Sequence, residues 1–151
     1  MFSARLTQSL VRVLDWVAGR VLPPNPAPAH QQTGRRGEED AYFYLRRNGY
    51  VIIARNYRSP HYPGELDLVG WHGDVLCFVE VKTRTSREVK PAHAAVDYAK
   101  RKELTLVARE FARHITHPCQ WRFDILAIYY DGRRRPAFEL FQNAFPIAYN
   151  R

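Results

Sequence analysis

The chain has 151 residues, 46% of them hydrophobic, which is enough to form the core of one domain with some length to spare. Lys and Arg number 23 against 15 Asp and Glu, and the net charge of +8 favours polyanionic partners such as nucleic acid or an anionic membrane surface. No stretch reaches the roughly 18 to 20 apolar residues of a membrane span, and two cysteines cannot form a disulfide framework. These features argue against a transmembrane protein and a disulfide-rich scaffold, and they indicate a cytoplasmic protein. A basic protein without any polyanionic partner is the alternative.

The first 32 residues differ from the rest of the chain. Residues 2–22 carry apolar side chains at helical spacing, which predicts an amphipathic helix, and the proline-rich residues 23–28 predict a linker. Asp15 and Arg20 interrupt the apolar run that a signal peptide would need. We therefore expect a helix that packs on its own protein or lies on a membrane surface, followed by a compact domain at residues 33–151.

Apolar periodicity and turn residues divide the compact domain into helices and strands. In chain order, the predicted elements are a helix at Glu38–Asn48, strands at Tyr50–Arg58, Leu66–Trp71 and Val75–Val81, a helix from the N-cap Asp97 to about His114, a strand at Trp121–Tyr130, and an optional fifth strand at Phe138–Phe141. The order α-β-β-β-α-β contains no repeat and predicts a mixed α/β fold.

Asp67 and Glu80 lie on the two strands of a predicted hairpin. A two-residue loop at Gly73-Asp74 sets the two residues directly opposite each other, with Cβ atoms about 5 Å apart. A loop at His72-Gly73 leaves them diagonal on one face, whereas a three-residue loop places them on opposite faces. Two of these three registers therefore bring the carboxylates together.

Two opposed carboxylates destabilise a sheet unless a cation lies between them. Mg²⁺, or Mn²⁺ in its place, takes such oxygens and keeps waters that a phosphate can displace. Lys82 shares a strand face with Glu80 and could stabilise charge on a reacting phosphodiester. Asp67, Glu80 and Lys82 thus predict a metal-dependent nuclease site, although an ion pair between Glu80 and Lys82 on a solvated strand would show the same pattern. Glu38 lies on the inward stripe of its helix as a third candidate metal ligand, or simply as a favourable charge at the helix N-terminus.

Several motifs in this order resemble the YraN-like uncharacterised family. The motifs are Gly34-Arg35-Arg36-Gly37-Glu38, Asn56-Tyr57-Arg58, Gly64-Glu65-Leu66-Asp67-Leu68-Val69, Phe78-Val79-Glu80-Val81-Lys82-Thr83-Arg84 and Arg122-Phe123-Asp124. The resemblance covers about residues 33–146 and implies the restriction-endonuclease-like, or PD-(D/E)XK, fold of archaeal Holliday junction resolvases. That fold is a three-layer mixed β-sheet flanked by helices, here with an N-terminal helical extension. In its pattern the helix acid matches Glu38, the hairpin acid Asp67, and the E-x-K pair Glu80 and Lys82.

The chain departs from the family pattern in two places. The loop Ser59–Pro63 is longer than expected, and residues 86–95 lack a glycine. Both segments lie near the edge where substrate would bind, so they affect substrate geometry more than metal binding. Because the family has no assigned activity, the nuclease hypothesis rests on site chemistry and fold analogy.

Basic residues follow the acidic strand and open the second predicted helix. The predicted nucleic-acid-binding residues are Arg84, Arg87, Lys90, Lys100, Arg101 and Lys102. We therefore predict a Mg²⁺-dependent endonuclease acting on branched or structured DNA, with a homodimer expected by analogy. The alternatives are a non-catalytic nucleic-acid-binding module of the same fold and an accessory protein that docks through its N-terminal helix.

Overall fold

The computed structural model describes residues 29–85 and 96–147. The predicted N-terminal amphipathic helix, the proline-rich linker, Arg87 and Lys90 lie outside the described residues. The described elements are α1 (Ala29–Arg47), β1 (Tyr50–Arg58), β2 (Glu65–His72), β3 (Val75–Arg84), α2 (Tyr98–Ala112), β4 (Gln120–Tyr129) and β5 (Ala137–Phe145).

The strands form one sheet in the order β1-β2-β3-β4-β5. The pairs β1–β2, β2–β3 and β4–β5 are antiparallel, whereas β3 and β4 are parallel. A parallel pair needs a long crossover connection, and α2 lies in the connection between β3 and β4. The sheet is therefore mixed, with β3 at its centre.

Each helix covers one face of the sheet. Ala41 and Leu45 of α1 are buried with Leu68, Cys77 and Val79 on one face. Residues of α2 are buried on the other face against a larger aromatic cluster; they are Leu104, Val107 and Ala108. This three-layer arrangement confirms the predicted α/β class and is compatible with the restriction-endonuclease-like fold. Neither described helix is long and apolar enough to cross a membrane.

Every predicted element that falls within the described residues is present, and two of them are markedly longer than predicted. The helix predicted from Glu38 begins at Ala29, because residues 29–37 contain no proline to stop it. The optional fifth strand is present and longer, at Ala137–Phe145. The predicted N-cap of α2 is confirmed, since the Asp97 carboxylate accepts a hydrogen bond from the Lys100 amide at 2.8 Å.

The β2–β3 hairpin turns at Gly73-Asp74. His72 pairs with Val75, and Gly73 has a φ of +60°, a conformation that favours glycine. The pairing continues without a shift to Leu68 and Val79. This is the register that sets the next residues, Asp67 and Glu80, at the same level of the sheet.

The long loop Ser59–Pro63 is fastened to α2 through Glu110. The Ser59 hydroxyl donates to Glu110 Oε2, and His61 Nδ1 lies 2.8 Å from Glu110 Oε1. The hydrogen bond from Ser59 and the neighbouring His61 hold the pKa of Glu110 below its usual value. The loop therefore has a defined attachment despite its length.

Both cysteines are free, as the sequence indicated. Cys77 is buried within the α1 side of the core, and burial raises the pKa of its thiol to about 12. It is therefore an unreactive core thiol. The cytoplasmic location stays a prediction.

Candidate metal centre

The acidic site lies where β2 and β3 stop pairing. The ladder between them ends at Leu68 and Val79, although β2 begins at Glu65 and β3 continues beyond Glu80. At the next level, Asp67 Oδ2 accepts a hydrogen bond from the Val81 amide at 2.7 Å. A side-chain carboxylate thus replaces a backbone carbonyl as the partner of β3, and the two strands separate there.

Strand β1 is irregular at the same level. Its pairs with β2 place Asn56 beside Asp67, and Asn56 has a φ of +49°, a left-handed conformation that asparagine tolerates. The Asn56 side chain donates from Nδ2 to Glu38 Oε2 at 3.1 Å. Glu38 on α1 is therefore joined to the strand that flanks Asp67.

Because of this irregularity, the side chains before and after Asn56 face opposite sides of the sheet. Arg55 lies over a ring of α1, whereas Tyr57 packs edge-on against Phe111 of α2, with ring centroids 4.9 Å apart. In β2, Leu66 belongs to the α2 side of the core and Leu68 to the α1 side. Regular strands keep such residues on one face, so β1 and β2 change orientation together at Asn56 and Asp67.

Glu80 and Lys82 are held on the central strand. The Glu80 side chain is 9% exposed, and Lys82 Nζ lies 2.7 Å from Glu80 Oε1. Because β3 is paired with β4 over its whole length, the backbone positions of both residues are fixed. The same-face ion pair considered from the sequence is present, but it is largely buried rather than solvated.

Asp67 lies in an environment that disfavours its charge. Burial is the largest cause and the Glu80 carboxylate the next, and together they raise the pKa of Asp67 to about 7. The Val81 amide and Lys82 partly offset this effect, and Glu38 adds to it. Lys82 alone therefore leaves the site with excess negative charge, which a divalent cation would neutralise.

Each of the three carboxylates uses one oxygen and leaves the other available among the described residues. Asp67 Oδ2 is held by Val81, Glu80 Oε1 by Lys82, and Glu38 Oε2 by Asn56. Such contacts orient ligands from outside the metal sphere. However, no three Asp, Glu, His or Cys side chains of the described residues are gathered as a metal-binding group. The donor chemistry fits Mg²⁺, which commonly takes one or two carboxylates and several waters.

The described basic residues differ in their surroundings. Arg84 is half-buried, and its Nε has no hydrogen-bond partner among the described residues. Arg101 donates from Nε to the Val96 carbonyl at 2.8 Å and lies over the Phe145 ring, so it has a structural role. Lys102 is exposed and Lys100 half-buried at the start of α2. Within the described residues, none of these four side chains hydrogen bonds to Asp67, Glu80 or Glu38.

Two features were not predicted. Asn56 belongs to the motif Asn56-Tyr57-Arg58, but the sequence alone assigned it no role. The available signal was an asparagine in a strand rich in β-branched residues, where asparagine is uncommon. The other feature is a cluster of Tyr42, Arg46 and Arg55, whose members lie on different elements. In the sequence, Tyr42 follows Glu38 by four residues, which indicates only that the two share a helix face.

Comparison with known proteins finds close relatives over most of the chain. The model of the Uncharacterised protein family UPF0102 matches residues 37–128. A UPF0102 protein of Koribacter versatilis (strain Ellin345) is 49% identical over 142 residues, covering 94% of this chain and 96% of the relative. A UPF0102 protein of Solibacter usitatus (strain Ellin6076) is 40% identical over 139 residues, covering 90% and 97%. One from Chlorobium chlorochromatii is 38% identical over 104 residues, covering 69% and 79%.

Proposed function

Since the chain belongs to the uncharacterised protein family UPF0102, with which its YraN-like motifs agree, we propose that it is a nucleic-acid-binding, Mg²⁺-dependent endonuclease that hydrolyses phosphodiesters in branched or structured DNA. The observation that carries this proposal is the position of Asp67 beside Glu80 where two strands separate, with Lys82 against Glu80. The net charge of +8 supports a polyanionic substrate. The resemblance to junction resolvases supports branched DNA.

Each residue has a defined part in this proposal. Asp67 and Glu80 would hold the cation through the oxygens that no described neighbour occupies, and Glu38 would be a third ligand. The bound cation would polarise the phosphodiester and make a bound water more acidic. Lys82 would stabilise the negative charge that develops on the phosphate, and Glu80 holds its ammonium group within the acidic site.

A second candidate is a nucleic-acid-binding module without catalysis. The observation in its favour is that no three candidate ligands of the described residues are already gathered as a metal-binding group. The basic charge would then serve binding alone. The two candidates differ in cleavage, not in binding.

The test is cleavage of duplex, forked and four-way DNA with Mg²⁺ or Mn²⁺. We expect the native chain to cut the forked or four-way substrates, and Glu80→Gln to lose about 100-fold or more in rate while retaining binding. Glu139→Gln is the matched control, because it makes the same chemical change at an exposed acid of β5, outside the acidic site. Like Glu80, Glu139 has a hydrogen-bond partner, the Tyr129 hydroxyl. Binding by the native chain without cutting would favour the non-catalytic module. A chain that neither binds nor cuts would refute both candidates.

A further inference from the structure

We propose that Tyr42, Arg46 and Arg55 form a phosphate-binding subsite, which holds the nucleic-acid strand beside the acidic site. This inference rests on the proposed function, because it assigns part of the path of the same substrate. None of the three residues was among the basic residues predicted from the sequence to bind nucleic acid.

The two arginines are ordered by one aromatic ring. The guanidinium carbon of Arg55 lies 4.9 Å from the centroid of the Tyr42 ring, and that of Arg46 lies 5.5 Å from it. Arg46 also donates from a terminal nitrogen to the Tyr42 hydroxyl at 3.2 Å. Cation–π contacts of this kind restrict long side chains before a ligand arrives, which lowers the entropy cost of binding.

These guanidinium groups are not neutralised by acids of the described part of the chain. Arg46 and Arg55 are exposed and form no ion pair with an acid of the described residues, whereas Arg36, Arg58 and Arg122 do. The contrast is clear at Arg58, which lies 2.7 Å from Glu65. The subsite therefore combines positive charge, order and access, the properties that suit arginine to bind phosphate.

The position of the subsite connects it to the acidic site. Glu38, Tyr42 and Arg46 follow one another at four-residue intervals on α1, so each step along the helix axis is about 6 Å. Arg55 immediately precedes Asn56, which holds Glu38. The subsite thus extends about 12 Å along α1 from Glu38, the axial rise of three to four nucleotides of a duplex strand.

A surface cavity lies at the Tyr42 and Arg46 end of this row, away from Glu38. It has a volume of about 400 Å³ and includes Tyr42, Arg46, Tyr50 and Ile52 in its lining. Lipid headgroups also contain phosphate. We favour a polynucleotide because the subsite is continuous along α1 with the acidic site, where the proposed cleavage takes place. Binding to phosphates would position the substrate without reading its base sequence.

The experiment measures binding of the full chain to labelled forked DNA in EDTA, between about 50 and 200 mM salt. Arg46→Gln/Arg55→Gln should weaken binding about tenfold. The plot of the logarithm of the association constant against the logarithm of the salt concentration should become less steep by about 2. Arg134→Gln/Arg135→Gln is the control, because both arginines are exposed on the β4–β5 loop and the net charge falls equally. Tyr42→Leu keeps both charges and should weaken binding about threefold with little change in slope. Unchanged far-ultraviolet circular dichroism and melting would show that each variant is folded.

Equal losses in the two double variants would overturn the subsite, because net charge alone would then explain them. Native binding and slope in Arg46→Gln/Arg55→Gln would overturn it as well. A third contrary result is loss of binding to phosphatidylserine vesicles in that variant with DNA binding intact, which would assign the cluster to a membrane surface. If the native chain binds no DNA, the proposed function itself fails. Cleavage of DNA by the native chain with no effect of the double substitution would reject only the subsite.

Discussion

Asp67 has two tasks that oppose each other energetically. One of its oxygens is a hydrogen-bond acceptor for β3, which fixes the point where the strands separate. The rest of the carboxylate is buried beside Glu80, and its pKa is raised to about 7 as a result. A neutral acceptor would satisfy Val81 without this electrostatic cost. A cation of the kind proposed above would offset this cost, whereas the fold alone needs only an acceptor for the Val81 amide.

The first prediction concerns Asp67→Asn. The amide can still accept from Val81 but removes one of two like charges, so in EDTA at pH 8 we expect the free energy of unfolding to rise by about 1 kcal/mol. Excess Mg²⁺ should raise the melting temperature of the native chain by a few degrees, about 3 °C, and leave the variant unchanged. Thermal melts with and without Mg²⁺ measure both effects. A variant that melts lower in EDTA, or responds to Mg²⁺ like the native chain, would contradict the two-task interpretation.

At the scale of elements, α1 approaches β3 closely at Gly37. The residue is buried, and a Cβ built there would overlap the Cγ2 methyl group of Thr83. Glycine is normally a poor residue inside a helix, so its presence is explained by this close approach. The contact matters for the site because Glu38 is the next residue of α1. It fixes the height of Glu38 above the end of β3.

Gly37→Ala is therefore expected to destabilise the protein. Helix propensity alone would stabilise it by about 1 kcal/mol, but the overlap with Thr83 should reverse the sign and cost about 1 to 3 kcal/mol. Thr83→Ser removes the overlapping methyl group, and the next nearest atom would be at an ordinary distance of 3.7 Å. The double variant should recover the stability of Thr83→Ser or exceed it. Denaturant unfolding of the native chain, the two single variants and the double variant gives the coupling free energy between the two positions. Additive changes in the free energy of unfolding would contradict the predicted overlap.

At the scale of the whole molecule, a buried polar network joins both edges of the sheet. Asp124 on β4 is fully buried and accepts hydrogen bonds at 2.8 Å from Tyr50 of β1, Arg122 of β4 and the Asn143 amide of β5. Burial is the main reason that the pKa of Tyr50 rises to about 12. Arg122 also lies 3.2 Å from His72 at the end of β2. These contacts give Asp124 a structural role.

Asp124→Asn should destabilise the whole domain by about 3 kcal/mol, because Arg122 loses its buried counter-ion and the Tyr50 hydroxyl faces an amide nitrogen. Glu65→Gln is the control, since it breaks an exposed ion pair with Arg58 and should cost about 0.5 kcal/mol or less. Urea unfolding measures both. Similar costs for the two variants would show that the network contributes no more than a surface pair.

The sequence by itself determined the order of the elements and the residue types of the acidic site, because these depend on local periodicity, turn chemistry and strand alternation. It left three hairpin registers open, two of which bring Asp67 and Glu80 together. The structure selected the turn at Gly73-Asp74, which places Asp67 level with Glu80. The roles of metal, DNA and a homodimer stay predictions. Only the tertiary structure decided that Asn56 holds Glu38 and that Arg46 and Arg55 share the ring of Tyr42. These contacts join a helix to a strand through a left-handed residue that interrupts the alternation, and alternation is the only guide that the sequence provides to which side chains meet.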